Sequence, residues 1–246
     1  MRSTSYWLLV TGFWFLCTGV AVAAPTPSVK IPILMYHRIR AYKGTGPMSK
    51  LTNVSPQTFR AQMHWLADHG YYTVTLDAMV KLLHGDEPGL AKPMVITFDD
   101  GYRSQLEEAV PVLRSLHFTA AFYMITSHIP HPDFMHKKEL QALANEGMQI
   151  EAHTVHHDDL RTISKQQQIK ELAESKAAIE EITGKPVLHF AYPDGGFTHS
   201  ISARVGSLGY MTAVTINSGF ATSKNNLLEL PRIWMKEGMD MAKMFP

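Results

Sequence analysis

Residues 93 to 125 read PMVITFDDGYRSQLEEAVPVLRSLHFTAAFYMI, and this stretch decides the fold. It opens with an apolar run, Pro93 to Phe98, of strand length. A stretch of helical periodicity follows from about Arg103 to Leu116, and a second strand runs from Thr119 to Ile125. Strand, helix and strand in about thirty residues form the unit that makes neighbouring strands parallel.

The alternation extends in both directions. Upstream lie a strand at 31–36, a helix opened by Pro56 and ending near Gly70, a strand at 72–75 and a short helix to Leu83. Downstream come a helix from Lys137 to Asn145 stopped by Gly147, a strand at 148–152, and the longest helix, Ser164 to Thr183, closed by Gly184-Lys185-Pro186. Strands at 187–191, 211–216 and 228–233 complete the pattern. A parallel sheet with covering helices follows, as an open doubly wound sheet or a barrel. There is no internal repeat, and no GxGxxG or Walker motif follows a strand, so dinucleotide and nucleoside-triphosphate folds lose their main support.

The composition is that of a globular protein: 246 residues, 45% hydrophobic and 18% charged. With 23 Lys+Arg against 22 Asp+Glu, the balance argues against a nucleic-acid binder, which concentrates positive charge to displace counterions. One cysteine excludes an internal disulfide framework and a cysteine-based zinc cluster. Arg2 is the only charged residue before Lys30, an apolar run spans Trp7 to Val22, and the segment ends Ala21-Val22-Ala23-Ala24. This pattern predicts a secretory signal over 1–23 cut after Ala23, then a spacer at 24–30 and one domain over 31–246. An uncleaved anchor is the alternative; either way the expected location is secreted, periplasmic or at the cell surface.

In parallel α/β folds the chemistry sits at the carboxyl ends of strands. Three of those ends are unusual. Phe98 leads into Asp99-Asp100-Gly101, two carboxylates after a buried strand, although an isolated Asp-Gly is also ordinary turn chemistry. Ala152 leads into His153-Thr154-Val155-His156-His157, with His153 and His157 four apart. Among 13 histidines such a pair arises easily by chance, but its place after a buried strand is uncommon. Two imidazoles, a carboxylate and an open position make the pattern of a catalytic divalent metal, with His156 read as a surface or supporting residue. The third end, Ala191-Tyr192-Pro193-Asp194-Gly195-Gly196, is by itself a plain turn.

Together these residues resemble the polysaccharide deacetylases, carbohydrate esterase family four, also known as the NodB homology domain. Thr97-Phe98-Asp99-Asp100-Gly101 matches the family's first motif and His153-Thr154-Val155-His156-His157 its second. The likeness runs from about Ile31 to Ile233. Leu34-Met35-Tyr36-His37-Arg38-Ile39 and Leu230-Pro231-Arg232-Ile233 point to the branch of secreted poly-N-acetylglucosamine deacetylases.

The resemblance implies a distorted (β/α) barrel of fewer than eight units with its site at the C-terminal strand ends. It implies removal of N-acetyl groups from a polysaccharide containing N-acetylglucosamine, with peptidoglycan or chitooligosaccharides as alternative substrates. An outcome of another class is a non-catalytic carbohydrate-binding protein on the same fold. Asp100, His153 and His157 would hold the metal, Zn²⁺ first and Co²⁺ or Ni²⁺ next. Asp99 would be the general base, and His37 the general acid, its pKa raised by the carboxylates nearby. Asp194 would lend a backbone N–H to the oxyanion, with Tyr192 and Pro193 beside it at the substrate. Arg232 would pair with Asp99 in place of the third-motif Arg, which is absent here. Tyr102, Tyr192 and Trp234 are candidates to stack on sugar faces. Asp194 beside an oxyanion and Glu151 before the second motif depart from the family pattern and bear on rate and substrate choice. The substrate is the partner expected, with cell-envelope association, no nucleic acid and no partner protein.

Overall fold

The structure, a computed structural model, describes residues 29–41, 47–86 and 91–245. The signal expected over 1–23 and all but the end of the spacer lie outside the described residues. Among the described residues, no helix is long and apolar enough to cross a membrane.

Seven strands close into a barrel: β1 (Ile33–Tyr36), β2 (Pro93–Phe98), β3 (Ala121–Met124), β4 (Gln149–Ala152), β5 (His189–Ala191), β6 (Thr212–Ser218) and β7 (Leu230–Trp234). Each pairs in parallel with the next, and β1 pairs with both β2 and β7, which closes the ring. The barrel therefore has fewer than eight units. Tyr72–Thr73, expected as a full strand, adds only a two-residue edge to β2. Helices α1 (Pro56–Asp68), α2 (Leu76–His84), α3 (105–115), α4 (Lys137–Asn145), α5 (Lys165–Thr183) and α6 (His199–Ser207) cover it.

The helix limits follow local chemistry. Ser55, Thr75, Ser164 and Thr198 accept a backbone N–H at the starts of α1, α2, α5 and α6, and left-handed Gly85 and Gly184 stop α2 and α5. In α3 the first turn is wide, with Val110 N–H donating to Gln105 O, because Pro111 offers no N–H to continue an ordinary ladder. The helices α6, Pro47–Thr52 and Met241–Met244 were not anticipated; they are short, and α6 alternates small and polar residues with few apolar ones.

Strand alternation sorts the core into two. Leu34, Tyr36, Ile96, Phe98, Phe122, Met124, Ile150 and Phe190 face out, into the layer under the helices. Ile33, Val95, Ala121, Tyr123, Ala191, Val214 and Leu230 face in and pack with Leu76, Met79, Val80 and Leu83 of α2, which closes the barrel's floor. Both faces are buried, so the strands read as unbroken apolar runs rather than alternating ones.

Candidate active site

The inward register, continued past the apolar layer, delivers the functional side chains. Residues two beyond an inward one also face in. From Val95 that rule reaches Thr97 and Asp99; from Leu230 it reaches Arg232 and Trp234. His153 is likewise two beyond Glu151, which faces the barrel axis beside Tyr123. Asp100 would face out, but a left-handed backbone (φ 73°) turns the chain at the strand end and swings it to the rim.

Asp99 is 2% exposed and Arg232 1%. Arg232 Nη1 donates to Asp99 Oδ1 and Nη2 to Oδ2, both at 2.7 Å, while Nε donates to the carbonyl of Thr215 at 2.9 Å and Nη1 also to Thr97 Oγ1 at 3.1 Å. Burial pushes the Asp99 carboxyl up, but the charge and hydrogen bonds of Arg232 outweigh it and hold the group below its ordinary range.

Asp100, His153 and His157 converge beside it. Asp100 Oδ1 lies 3.5 Å from His153 Nε2 and 3.7 Å from His157 Nε2, and the two rings stand at 78° with centroids 4.7 Å apart. One ligand atom from each of the three lies within 4.8 Å of the others. His153 Nδ1 donates to Ala191 O at 2.7 Å, which leaves Nε2 unprotonated and aimed at the cluster in neutral imidazole. Burial raises the Asp100 carboxyl, yet the neighbouring histidines, His153 first, bring it far below the usual range. Burial lowers His153, and its hydrogen bond and charge contacts with Asp100 and Asp99 reverse the sign. The donor set of two imidazole nitrogens and one carboxylate fits a borderline divalent cation, and an anionic partner between two imidazoles is the electrostatics such an ion requires.

His37 ends β1 with Nε2 at 3.9 Å from Asp99 Oδ2 and its ring stacked on Trp234 at 5.6 Å. Its pKa is lowered, not raised. Burial is the largest cause, and with the positive charges of Arg232 and His153 it exceeds the opposing pull of Asp99 and Asp100. A lowered pKa makes imidazolium a stronger acid and a scarcer one.

A groove of about 650 Å³ runs over this cluster, lined by His37, Arg38, Leu51, Thr52, Asp99, Asp100, Tyr102, His153, His157, Tyr192, Asp194, Ile216 and Trp234. Asp194 is exposed at its wall in a left-handed turn (φ 52°). Gly195 holds that turn at φ 65°, and a Cβ there would press on Ile216, including its backbone nitrogen at 2.9 Å. Burial, with Asp100 adding to it, pushes the Tyr102 phenol up to about 12, so it stays a neutral donor.

Several expectations need correction. Tyr192 is 1% exposed, stacked on Phe197 and bonded through its hydroxyl to Leu228 O, so its ring is core and is not offered to a sugar. Pro193 is buried and does not line the groove. Tyr102 and Trp234 are both half-buried at the groove: Tyr102 lies against Phe134 at 4.9 Å with the Arg38 guanidinium over it at 4.1 Å, and Trp234 is stacked on His37 with its indole N–H donated to Leu51 O. Glu151 does not reach the groove; it accepts the N–H groups of Leu188 and His189 near the floor. Sequence reasoning missed the groove residues Leu51, Thr52 and Ile216. They lie outside the motifs, and the only signal available was that 216 ends a predicted strand.

Comparison with known proteins agrees with this fold. The family model described as polysaccharide deacetylase matches residues 86–213. A Bacillus subtilis protein named for the polysaccharide deacetylases, YxkH, is 31% identical over 210 residues, covering 85% of this chain and 73% of its own. A poly-beta-1,6-N-acetyl-D-glucosamine N-deacetylase of Staphylococcus aureus is 25% identical over 231 residues, covering 83% of this chain and 78% of that protein. Among solved structures, the Streptococcus pyogenes deacetylase PplD in complex with acetate superposes with a TM-score of 0.80 at 29% identity, covering 89% of this chain and 97% of that one.

Proposed function

From the premise that the chain belongs to the polysaccharide deacetylase family, hydrolases of N-acetyl amide bonds, we propose that it is a secreted, metal-dependent N-deacetylase of a poly-N-acetylglucosamine-like polymer. The observation that carries the reading is the rim itself: an ionised, arginine-locked carboxylate, a potential acid and a three-residue metal set share one groove. The choice of polymer draws on the staphylococcal relatives named for poly-beta-1,6-N-acetyl-D-glucosamine. Secretion draws on the amino-terminal pattern of one charge, an apolar run and Ala-x-Ala.

Asp100, His153 and His157 would hold the cation, Zn²⁺ before Co²⁺ or Ni²⁺. When bound, such an ion supplies Lewis acidity, polarising the acetyl carbonyl and acidifying water. Asp99 takes a proton from the attacking water. Each of its oxygens keeps a lone pair beyond the one used by Arg232, and the guanidinium fixes its orientation. The turn at Asp194 offers that residue's backbone N–H toward developing negative charge, and the Gly195 N–H, donated to Tyr192 O at 2.9 Å, holds the turn in shape. The amide nitrogen leaves as the C–N bond breaks, and it needs a proton, which His37 delivers from its place beside Asp99 after β1.

Acetate release should be measured on purified poly-β-1,6-N-acetylglucosamine, peptidoglycan and chitooligosaccharides. The proposal expects release from the first, loss on chelation and recovery with Zn²⁺ or Co²⁺. Release from peptidoglycan alone would move the substrate, and binding without release from any polymer would make the protein a carbohydrate-binding module.

A further inference from the structure

The loop that carries both ligating imidazoles is gripped from behind by a carboxylate of α5. Glu171, 6% exposed, accepts the N–H groups of Val155 at 2.8 Å and His156 at 2.9 Å through Oε2. Its Oε1 lies 2.6 Å from His156 Nδ1. The two backbone donors sit between two left-handed residues, Thr154 at φ 66° and His157 at φ 64°. A residue other than glycine in this region is strained and persists only where its surroundings hold it. On the loop's other edge, Thr126 N–H donates to Thr154 O and Ser127 N–H to Val155 O. Inside the loop, His157 N–H donates to Thr154 Oγ1. The carbonyls are thus held by the turn that follows β3 and the N–H groups by Glu171.

His156, Asp158 and Glu171 also form a second group with ligand atoms within 4.8 Å of one another. In that group the buried carboxylate is already engaged by two N–H donors and an imidazole, while His156 and Asp158 are exposed. An anchor accounts for those contacts more fully than a second cation does.

We propose that Glu171 is a positioning residue for the metal: by accepting the Val155 and His156 N–H groups it keeps the strained loop wound, so that His157 meets Asp100 and His153. The inference rests on the reading of Asp100, His153 and His157 as the metal set. Relaxing the loop would unwind φ at 154 and 157 and carry His157 Nε2 away from the other two donors.

The test is Co²⁺ and Zn²⁺ affinity of the full chain, by competition with a chromophoric chelator, together with the visible spectrum of bound Co²⁺. Glu171→Ala and the length-matched Glu171→Met should weaken binding roughly 10–100-fold, the usual loss on removing a group that orients a ligand, and should alter the Co²⁺ bands. Glu171→Gln, whose amide oxygen can still accept both N–H groups, should regain most of the affinity. His156→Ala should stay close to the unmodified chain. If Glu171→Ala fails to fold, Glu171→Met carries the comparison. Unchanged affinity and spectrum in folded Glu171→Met, with only a lower Tm, would show a plain strut and overturn the proposal. An equal loss in His156→Ala, or no rescue by Gln, would overturn it too. His153→Ala separates the two levels: if it keeps its metal, the metal set itself is wrong, whatever Glu171 does.

Discussion

The two ends of the barrel hold the same residue types and put them to opposite use. At the floor, Asp77, Gln149, Glu151, His189 and Thr212 surround the strand starts; at the rim, Asp99, Asp100, His153, His157 and Arg232 surround the strand ends. The floor is shut. Gln149 donates to Asp77 and accepts from Leu76 N–H, His189 Nδ1 meets Thr212 Oγ1 at 2.8 Å with Nε2 3.5 Å from Asp77, and Glu151 takes two backbone donors. At the strand starts the left-handed residues other than glycine are Lys92 and His117, neither a member of this network, whereas at the rim Asp100 and His157 of the metal set are themselves left-handed, with Thr154 and Asp194 beside them. Carboxylates and histidines by themselves do not make a site. What distinguishes the rim is three ligand atoms aimed at one another beside a left-handed backbone, while most of the floor's polar groups are turned into hydrogen bonds of the fold.

The comparison is broken most severely by Asp99. Asp99→Asn should reduce turnover roughly 10²–10⁴-fold, the range for removing a positioned acid or base, while metal content stays. Removing its partner is a different experiment. Arg232→Met leaves a buried carboxylate unpaired and should cost about 3–5 kcal/mol of stability in denaturant unfolding as well as activity. Asp99 and Arg232 changed together should be less destabilised than Arg232→Met alone; if the double change is no better, the pair is not the unit described.

His37→Ala should also lose roughly 10²–10⁴-fold on an N-acetyl substrate. It should lose less on an ester with a good leaving group, which departs without a proton. Equal loss on both, or loss of metal, would make His37 a ligand or packing residue. A smaller effect is expected at the oxyanion turn. Gly195→Ala forces a Cβ into Ile216 at a positive φ, and a displaced N–H donor there should lower kcat by up to roughly 10²–10³-fold with KM little changed.

How much of this was legible in the sequence depends on what each residue does locally. The strands and α4 and α5 announced themselves through apolar runs and caps such as Ser164 and Gly184. The spacings of Asp99-Asp100 and His153–His157 could be seen because each motif lies within a few residues. The Arg232–Asp99 contact spans 133 positions and was reachable only by likeness to a family, since nothing local to Arg232 marks it as buried. Burial also reversed the expected direction for His37, because the desolvation of a ring depends on Trp234 and the groove walls, which are remote in sequence. Tyr192 was misjudged for the same reason: whether an aromatic at a strand end stacks on sugar or on Phe197 is decided by α6 and the turn before it, and α6 was not foreseen.

The floor gives the smallest effect on catalysis. The close approach of His189, its Nε2 3.5 Å from Asp77 Oδ2, is the main cause that holds the Asp77 carboxyl below its ordinary value. A carboxylate depressed in the folded state contributes stability above its unfolded pKa of about 3.9 and loses it as pH falls through the folded value. Asp77→Asn should therefore flatten the fall of Tm below about pH 4, leaving acetate release at neutral pH unchanged. An unchanged acid slope would place the acid lability elsewhere.

The central claim, that the rim and not the floor is built for a cation, is tested most directly by elemental analysis of three purified, folded proteins: the unmodified chain, His153→Gln and His189→Gln. The account predicts stoichiometric divalent metal in the unmodified chain and in His189→Gln, and none in His153→Gln. Metal retained in His153→Gln, or lost only in His189→Gln, would contradict it.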